Sequence, residues 1–183
     1  MESEIIRNDI QKILLSNSYR ERQDDLFEFI PELKDMVGFE HKHPHHNLDV
    51  WEHTLVVMDN LKDEDDLELK MAGLLHDIGK PFSYQDEEVR HFHGHPEVSN
   101  KMSLEILKRL GYEERIIKDV SYLVLKHDTP IDPNNLDNSY EMVKKLLKLQ
   151  YADAKAHCPD KVKKRIEFLD SISKQLNNGI EER

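Results

Sequence analysis

The amino-acid sequence predicts an all-α fold in a single domain. Apolar residues recur at helical spacing along nearly every segment, and no strand-like alternation of apolar and polar residues exceeds a few positions. The chain has 183 residues, within the range of about 100–200 residues that is usual for one domain. No linker rich in proline or glycine divides it. We therefore expect one helical domain over residues 1–183.

The first two predicted helices are separated by a long irregular connection. Pro31 and the segment Gly38–Asn47 mark this connection. The second helix is expected to begin at Asp49, with Glu52 three residues later as the partner of a capping box. The first helix has the apolar stripe Ile6, Ile10, Ile13 and Leu14, and the second has its inner face at Val50, His53 or Thr54, Val57 and Leu61.

Five further helices are predicted from apolar stripes. The third helix stops at Gly79 and Pro81. The polar stretch 83–96 follows, with at most a short extended arm over 90–95, and Gly111 closes the fourth helix. The stripes are Leu67, Met71, Leu74, Leu75 and Ile78; Val98, Met102, Ile106 and Leu110; Ile116, Val120, Leu123 and Val124; Met142, Leu146 and Leu149; and Val162, Ile166, Leu169, Ile172 and Leu176.

The composition argues against several classes of protein. A net charge of −11 disfavours tight, non-specific binding to a nucleic-acid backbone. No apolar stretch approaches the roughly 20 residues that span a bilayer, and the N-terminal residues lack the regions of a signal peptide. Cys158 is the only cysteine, so no internal disulfide is possible. We expect a cytoplasmic protein with no membrane partner and no strong nucleic-acid binding; the oligomeric state is left open.

The chemistry of the chain centres on the adjacent pair His76 and Asp77, at the end of an apolar helical run. Burying an imidazole beside a carboxylate is costly unless a cation compensates them. Three more candidates, His53, His127 and Asp153, continue apolar faces of other helices. Because a buried carboxylate is almost always paired, inward His and Asp residues on several helices predict a shared divalent ion. Such mixed ligands suit Fe, Mn, Ni or Zn better than Mg or Ca.

The array His53 … His76-Asp77 … Asp153 resembles the HD superfamily of metal-dependent phosphohydrolases, in the version with the string His-Asp-Ile-Gly at 76–79. Segments 49–54, 74–81 and 92–98 resemble the HD domain of bacterial tRNA nucleotidyltransferases. The resemblance implies an HD-fold helical bundle with its core at about 48–157. A stand-alone HD protein is expected, because no nucleotidyltransferase motif precedes Leu48.

The resemblance also implies a ligand set and a substrate contact. It matches His53, His76, Asp77 and Asp153 to the four ligands common to the family, and His95 and His127 to the additional histidines of a branch that binds two ions. With all six ligands, Asp77 can bridge two ions ~3.5–4 Å apart. His95 is preferred to His93 because it precedes Pro96, and Lys80 resembles a lysine that contacts the substrate phosphate. The implied metal ligands are His53, His76, Asp77, His95, His127 and Asp153.

The expected function is hydrolysis of phosphomonoesters or phosphodiesters, preferably of nucleotides, by a metal-activated water. Two divalent ions are expected, with Fe, Mn or Ni favoured over Mg, and with Zn also compatible. Asp77 would position metal and water, Lys80 would neutralise the phosphate, and His93, or His127 if not ligated, would protonate the leaving group. Two alternatives stay open: a non-enzymatic module that binds nucleotide or RNA, and a di-iron oxygenase.

The remaining histidines receive structural interpretations. His91 and His93 are interpreted as surface residues beside one ligand, although a second metal site with them is an alternative. Four loop histidines are expected to be solvated, with a rim or gating role as the alternative, because loops often carry binding residues. These four are His41, His43, His45 and His46.

Overall fold

The described part of the computed structural model, residues 2–42, 47–85 and 90–181, is built from helices. Its only β pairings are isolated antiparallel bridges between Glu40 and Asp49 and between Gln85 and His91. The all-α prediction is therefore confirmed. The helices are α1 (Glu2–Leu15), α2 (Gln23–Phe29), α3 (Val50–Asn60), α4 (Leu67–Leu75), α5 (His95–Arg109), α6 (Glu114–Lys126), α7 (Tyr140–Lys155) and α8 (Pro159–Glu181), with 3-10 helices at Pro31–Met36 and Lys80–Phe82.

Side-chain caps fix the beginnings of three helices. Asp49 Oδ1 accepts a 2.7 Å hydrogen bond from the Glu52 amide at the start of α3, where the sequence predicted a cap. Asp66 caps α4 in the same way, at 2.9 Å from the Leu69 amide. Ser139 caps α7. These caps satisfy amide groups that lack partners inside the helix.

Helix α4 is the central element of the fold. It packs against α1, α3, α6 and α7, and its residues from Glu68 to Leu75 are all buried. Even Lys70 is 1% exposed, with Nζ donating to Asn17 Oδ1 at 2.7 Å and to the Leu14 carbonyl oxygen at 3.3 Å. Because α4 lies in the core, the residues that follow it are delivered to the middle of the molecule.

Two stretches differ from the sequence-based expectation. The connection before α3 contains α2 and the 3-10 helix Pro31–Met36, which are too short for a helical stripe to identify. The expected extended arm at 90–95 is reduced to one bridge at His91. Helix α5 begins already at His95, because Gly94 has the positive φ of 75° and Pro96 occupies the first turn. None of the helices described is both long and apolar enough to cross a bilayer.

Candidate metal centre

The His76–Asp77 pair lies in the tight turn that ends α4 and contacts α5. His76 is the C-cap of α4. Gly79, in the same turn, donates a 2.9 Å hydrogen bond from its amide to Ser99 Oγ. A Cβ at position 79 would overlap the Ser99 backbone nitrogen and come within 2.9 Å of the Val98 carbonyl carbon. Glycine therefore allows this turn to pack directly on α5, whose first residue is His95.

The fold brings together all six side chains that were expected to bind metal. They form two groups of three, and within each group the ligand atoms lie within 4.8 Å of one another. Helix α3, the C-cap of α4 and helix α7 supply the first group, while the turn after α4, the start of α5 and the C-cap of α6 supply the second. The first group is His53, His76 and Asp153, and the second is Asp77, His95 and His127, all of them buried.

Asp77 joins the two groups through its two carboxylate oxygens. Its Oδ2 lies 3.2 Å from His76 Nε2 and 3.6 Å from His53 Nε2. Its Oδ1 lies 3.2 Å from His95 Nε2 and 3.7 Å from His127 Nε2. Each group thus faces a different oxygen of one carboxylate, which is the geometry that a bridging ligand requires.

Backbone carbonyl groups orient three of the histidines. The Nδ1 atoms of His76, His95 and His127 lie 2.8, 3.0 and 2.6 Å from the carbonyl oxygens of residues 73, 92 and 124. Donation from Nδ1 to these oxygens places the lone pair on Nε2, as judged from the hydrogen-bond network. The Nε2 atoms are then the ones available to a metal ion, as in most histidine-ligated sites.

The two groups together form one cluster of six side chains, whose buried polar atoms fit a cation. Among the described residues, His76 Nε2 and Asp77 Oδ1 are buried and have no hydrogen-bond partner, a state that costs about 1–3 kcal/mol per group. His95 Nε2 and His127 Nε2 lie 3.1 Å apart. Because both rings use Nδ1 as a donor, two lone pairs face each other unless a proton or a cation lies between them. A divalent ion in each group would satisfy these atoms.

The electrostatics keep both carboxylates of the cluster ionised. Burial alone would raise the pKa of Asp77, but the neighbouring His76 and Lys80 outweigh it and hold that pKa well below its usual value. The pKa of Asp153 is likewise well below its usual value, because its hydrogen bond with His53 and the charge of Arg165 outweigh burial.

The pKa values of three histidines of the cluster shift in different directions. Burial lowers the pKa of His53 and of His127, which favours the neutral form that binds metal. Burial also disfavours the charged form of His76, but the Asp77 carboxylate outweighs burial and raises the pKa of His76. A positive charge is thus stabilised beside Asp77, where a bound metal ion would supply it.

Lys80 lines a cavity of about 310 Å³, which four members of the cluster, Asp77, His95, His127 and Asp153, also line. Its Nζ donates to Asp77 Oδ2 at 2.7 Å and to His41 Nε2 at 3.2 Å. The side chain of Lys80 is 8% exposed, yet it lines this cavity together with His93, His157 and Arg165. An anion in the cavity would therefore meet an oriented ammonium group.

The other histidines are placed differently from one another. His93 is exposed and stacks on His91, with ring centroids 5.6 Å apart, whereas His95 is buried in the cluster. The prediction of a solvated loop position is wrong for His41, which is 1% exposed and has its Nδ1 3.0 Å from the Leu48 carbonyl oxygen. The histidines at 43, 45 and 46 lie outside the described residues.

Two charged residues at the cluster were not identified from the sequence. Arg165 Nη2 lies 2.9 Å from Asp153 Oδ2, and Asp128 Oδ2 lies 3.4 Å from His95 Nε2. Asp128 directly follows His127, outside the apolar stripe of its helix, so periodicity does not identify it. Arg165 flanks Ile166 on the apolar stripe of α8, and nothing in the pattern distinguishes it from a solvated arginine.

Comparisons with known proteins agree with this architecture. The family model described as HD domain matches residues 45–162. Over 139 residues the chain is 32% identical to an A-adding tRNA nucleotidyltransferase of Deinococcus radiodurans, covering 69% of this chain and 32% of that protein. Over 136 residues it is 33% identical to a CC-adding tRNA nucleotidyltransferase of Thermus thermophilus, covering 68% of this chain and 31% of that protein. The chain thus spans about a third of the length of these curated relatives.

Proposed function

The chain belongs to the HD domain family, and from this premise we propose that it is a metal-dependent hydrolase of phosphate esters, acting on nucleotides. One observation carries the proposal: six buried His and Asp side chains meet in two groups of three, and the two oxygens of Asp77 face different groups. This cluster adjoins a cavity that Lys80 also lines. A protein that only binds nucleotides has no chemical need for such a set of ligands.

The proposed ligands would hold two ions, one in each group. His53, His76 and Asp153 would hold the first ion, and His95 and His127 would hold the second. Asp77 would be a ligand of both, because its two oxygens face different groups. Nitrogen and oxygen donors in this mixture favour Fe, Mn or Ni over Mg, and they also suit Zn.

The chemistry divides between the ions and the side chains around them. When bound, a divalent ion lowers the pKa of a water ligand towards neutrality and so supplies a nucleophile. Lys80 neutralises a non-bridging oxygen of the phosphate, for which its ammonium group is oriented by Asp77 and His41. His93, exposed at the rim of the same cavity, protonates the leaving group.

The proposed substrates are phosphomonoesters or phosphodiesters of small nucleotides. The relatives are named for their action on tRNA, which supports a substrate of the nucleotide class. The net charge of −11 opposes binding of a long polyanion. A small nucleotide fits both the nucleotide chemistry of the relatives and the negative charge of the chain. An RNA end is the second candidate substrate.

The test is a metal analysis followed by a hydrolysis screen. Protein purified without chelator is analysed for bound metal, then loaded with Mn, Fe, Ni or Zn and assayed with nucleotides, cyclic nucleotides, a generic phosphodiester and tRNA. Asp77→Ala, prepared in parallel, controls for contaminating phosphatases. We expect phosphate or nucleotide release by the wild type that is lost in the variant.

Other outcomes of the screen would contradict the proposal. Tight nucleotide binding without turnover under every metal would identify a binding module. Oxygen uptake by the reduced iron form without hydrolysis would identify an oxygenase. Either result would leave the family membership unchanged, because a fold supports several functions.

A further inference from the structure

Helix α8 contributes a cation to the cluster from outside the matched family region. The HD domain match ends at residue 162, and Arg165 lies about one helical turn beyond that end, within α8. Its side chain is 33% exposed and lines the same cavity as Lys80. The terminal helix therefore takes part in forming the cavity.

The guanidinium group of Arg165 contacts a carboxylate of the first metal-binding group and a carboxylate that lies beside the second group. Its Nη2 lies 2.9 Å from Asp153 Oδ2 and 3.6 Å from Asp128 Oδ1. The other oxygen of Asp153 lies 3.0 Å from His53 Nε2, and the other oxygen of Asp128 lies 3.4 Å from His95 Nε2. Arg165 thus contacts the first group directly through Asp153 and is linked to the second group through Asp128.

Few cations in the cavity are positioned to receive a phosphate. Among the described residues that line it, the lysines and arginines are Lys80, Arg90 and Arg165. Arg90 stacks over the rings of Phe39 and Tyr84 at 4.5 and 4.8 Å. Lys80 and Arg165 are the two that contact carboxylates of the cluster.

We propose that Arg165 binds the phosphate group of the substrate, together with Lys80. A guanidinium group presents its donors as a planar fork that matches two oxygens of one phosphate. Nη2 is the Arg165 nitrogen in the ion pairs with both carboxylates, and the phosphate would take the remaining donors of the guanidinium group. The inference rests on the proposed function, because a phosphate in this cavity is the substrate group of that hydrolase.

A purely structural role predicts a different behaviour. If Arg165 only held Asp153 in place, its loss would loosen that carboxylate and lower the metal content. If it binds phosphate, its loss weakens phosphate affinity while both metal groups keep their side chains. The two roles therefore separate in measurements that do not depend on turnover.

The experiment measures binding of inorganic phosphate, the product of a monoester hydrolase, to metal-loaded protein by calorimetry. Arg165→Gln is compared with the wild type and with Lys164→Gln, which removes a charge from the neighbouring, exposed position of α8. We expect Arg165→Gln to keep its metal content and to bind phosphate about 10- to 150-fold more weakly, the range for a lost charge-assisted contact. Lys164→Gln should bind as the wild type does.

The conservative variant Arg165→Lys tests the fork itself and serves if Arg165→Gln does not fold. It keeps the charge but presents a single donor group, so an intermediate loss of affinity is expected. Phosphate binding equal to the wild type in the folded variants, or loss of metal in them, would overturn the proposal. So would a metal-loaded wild type that binds no phosphate.

The two proposals fail in different ways. Phosphate binding that depends on Arg165, without hydrolysis of any ester in the screen, would refute the hydrolase and keep the anion site. Hydrolysis by the wild type, together with a phosphate affinity that is unchanged in Arg165→Gln, would refute the anion site alone.

Discussion

Lys80 donates a 2.7 Å hydrogen bond to Oδ2 of Asp77, the oxygen that also faces His76 at 3.2 Å. The residue proposed to bind phosphate is therefore held by the residue proposed to join the two ions. His41 fixes the other side of the same ammonium group at 3.2 Å. The Asp77 carboxylate consequently serves both metal binding and phosphate binding. Variants of Asp77 and of Lys80 should nevertheless differ in their metal content and in their rate of hydrolysis.

Replacing Asp77 by alanine should remove most of the bound metal and abolish hydrolysis. The carboxylate lies within 3.2–3.7 Å of Nε2 atoms in both groups, so its loss deprives each site of a charged ligand. Metal content by elemental analysis and turnover are the measurements. Asp63→Ala, on an exposed turn, is the matched control. Wild-type metal and turnover in Asp77→Ala would show that the site is elsewhere.

Alanine at His95 or at His127 should remove one ion and leave the other. Both residues belong to the second group only, while His53, His76 and Asp153 remain. His93→Ala is the control, since that side chain is exposed and lies outside both groups; it should keep both ions. A fully metallated wild type with a single ion would refute the dinuclear proposal and leave the hydrolase standing.

Lys80→Ala should keep its metal and lose rate. A charge-assisted contact to phosphate contributes about 1.5–3 kcal/mol, which corresponds to a fall of about 10- to 150-fold in kcat/KM. Lys108→Ala, at an exposed position of α5, controls for the loss of a surface charge. Metal loss in Lys80→Ala would instead mean that the ammonium group serves mainly to hold Asp77.

Gly79→Ala should lower both thermal stability and metal content. The added methyl group would overlap the Ser99 backbone nitrogen and push α5, with His95, away from the turn. Because the nearest atom belongs to the backbone, adding Ser99→Ala should not rescue the variant. Thermal unfolding and elemental analysis measure the effect, and a stable, fully metallated Gly79→Ala would contradict it.

His41 should make the stability of the metal-free protein depend on pH. Burial, and then the charge of Lys80, lower the pKa of His41 to about 3, whereas an unfolded histidine titrates near 6.5. Between these values the unfolded state binds more protons, so this contribution is present above about pH 6.5 and is lost as the pH falls.

Removing the titrating group should therefore flatten the pH dependence. Between pH 7 and pH 5, the free energy of unfolding should fall by about 2 kcal/mol less in His41→Gln than in the wild type, as measured by urea unfolding. Between pH 7.5 and pH 8.5, where neither state of His41 changes charge, the two proteins should respond alike. An equal fall at acidic pH would show that His41 takes up its proton in the folded protein.

The sequence by itself determined the helical fold and the inward direction of most of the site. His127 continues the stripe of Val120 and Val124, and Asp153 continues that of Leu146 and Leu149; all of these residues are buried. Periodicity succeeds here because the direction of a side chain around its own helix axis depends only on spacing along the chain.

Only the tertiary structure decided how these directions meet. The contact of His53 with Asp153 joins residues 100 positions apart, and no spacing rule reaches that far. Residues outside the stripes show the same limit. His41 is buried although it lies in a loop, and His95 is buried because α5 begins there, whereas His93, two residues earlier, is exposed. Arg165 contacts Asp153 from α8. Their positions follow from how whole helices pack on α4, because packing fixes distances between elements that each element's own pattern does not contain.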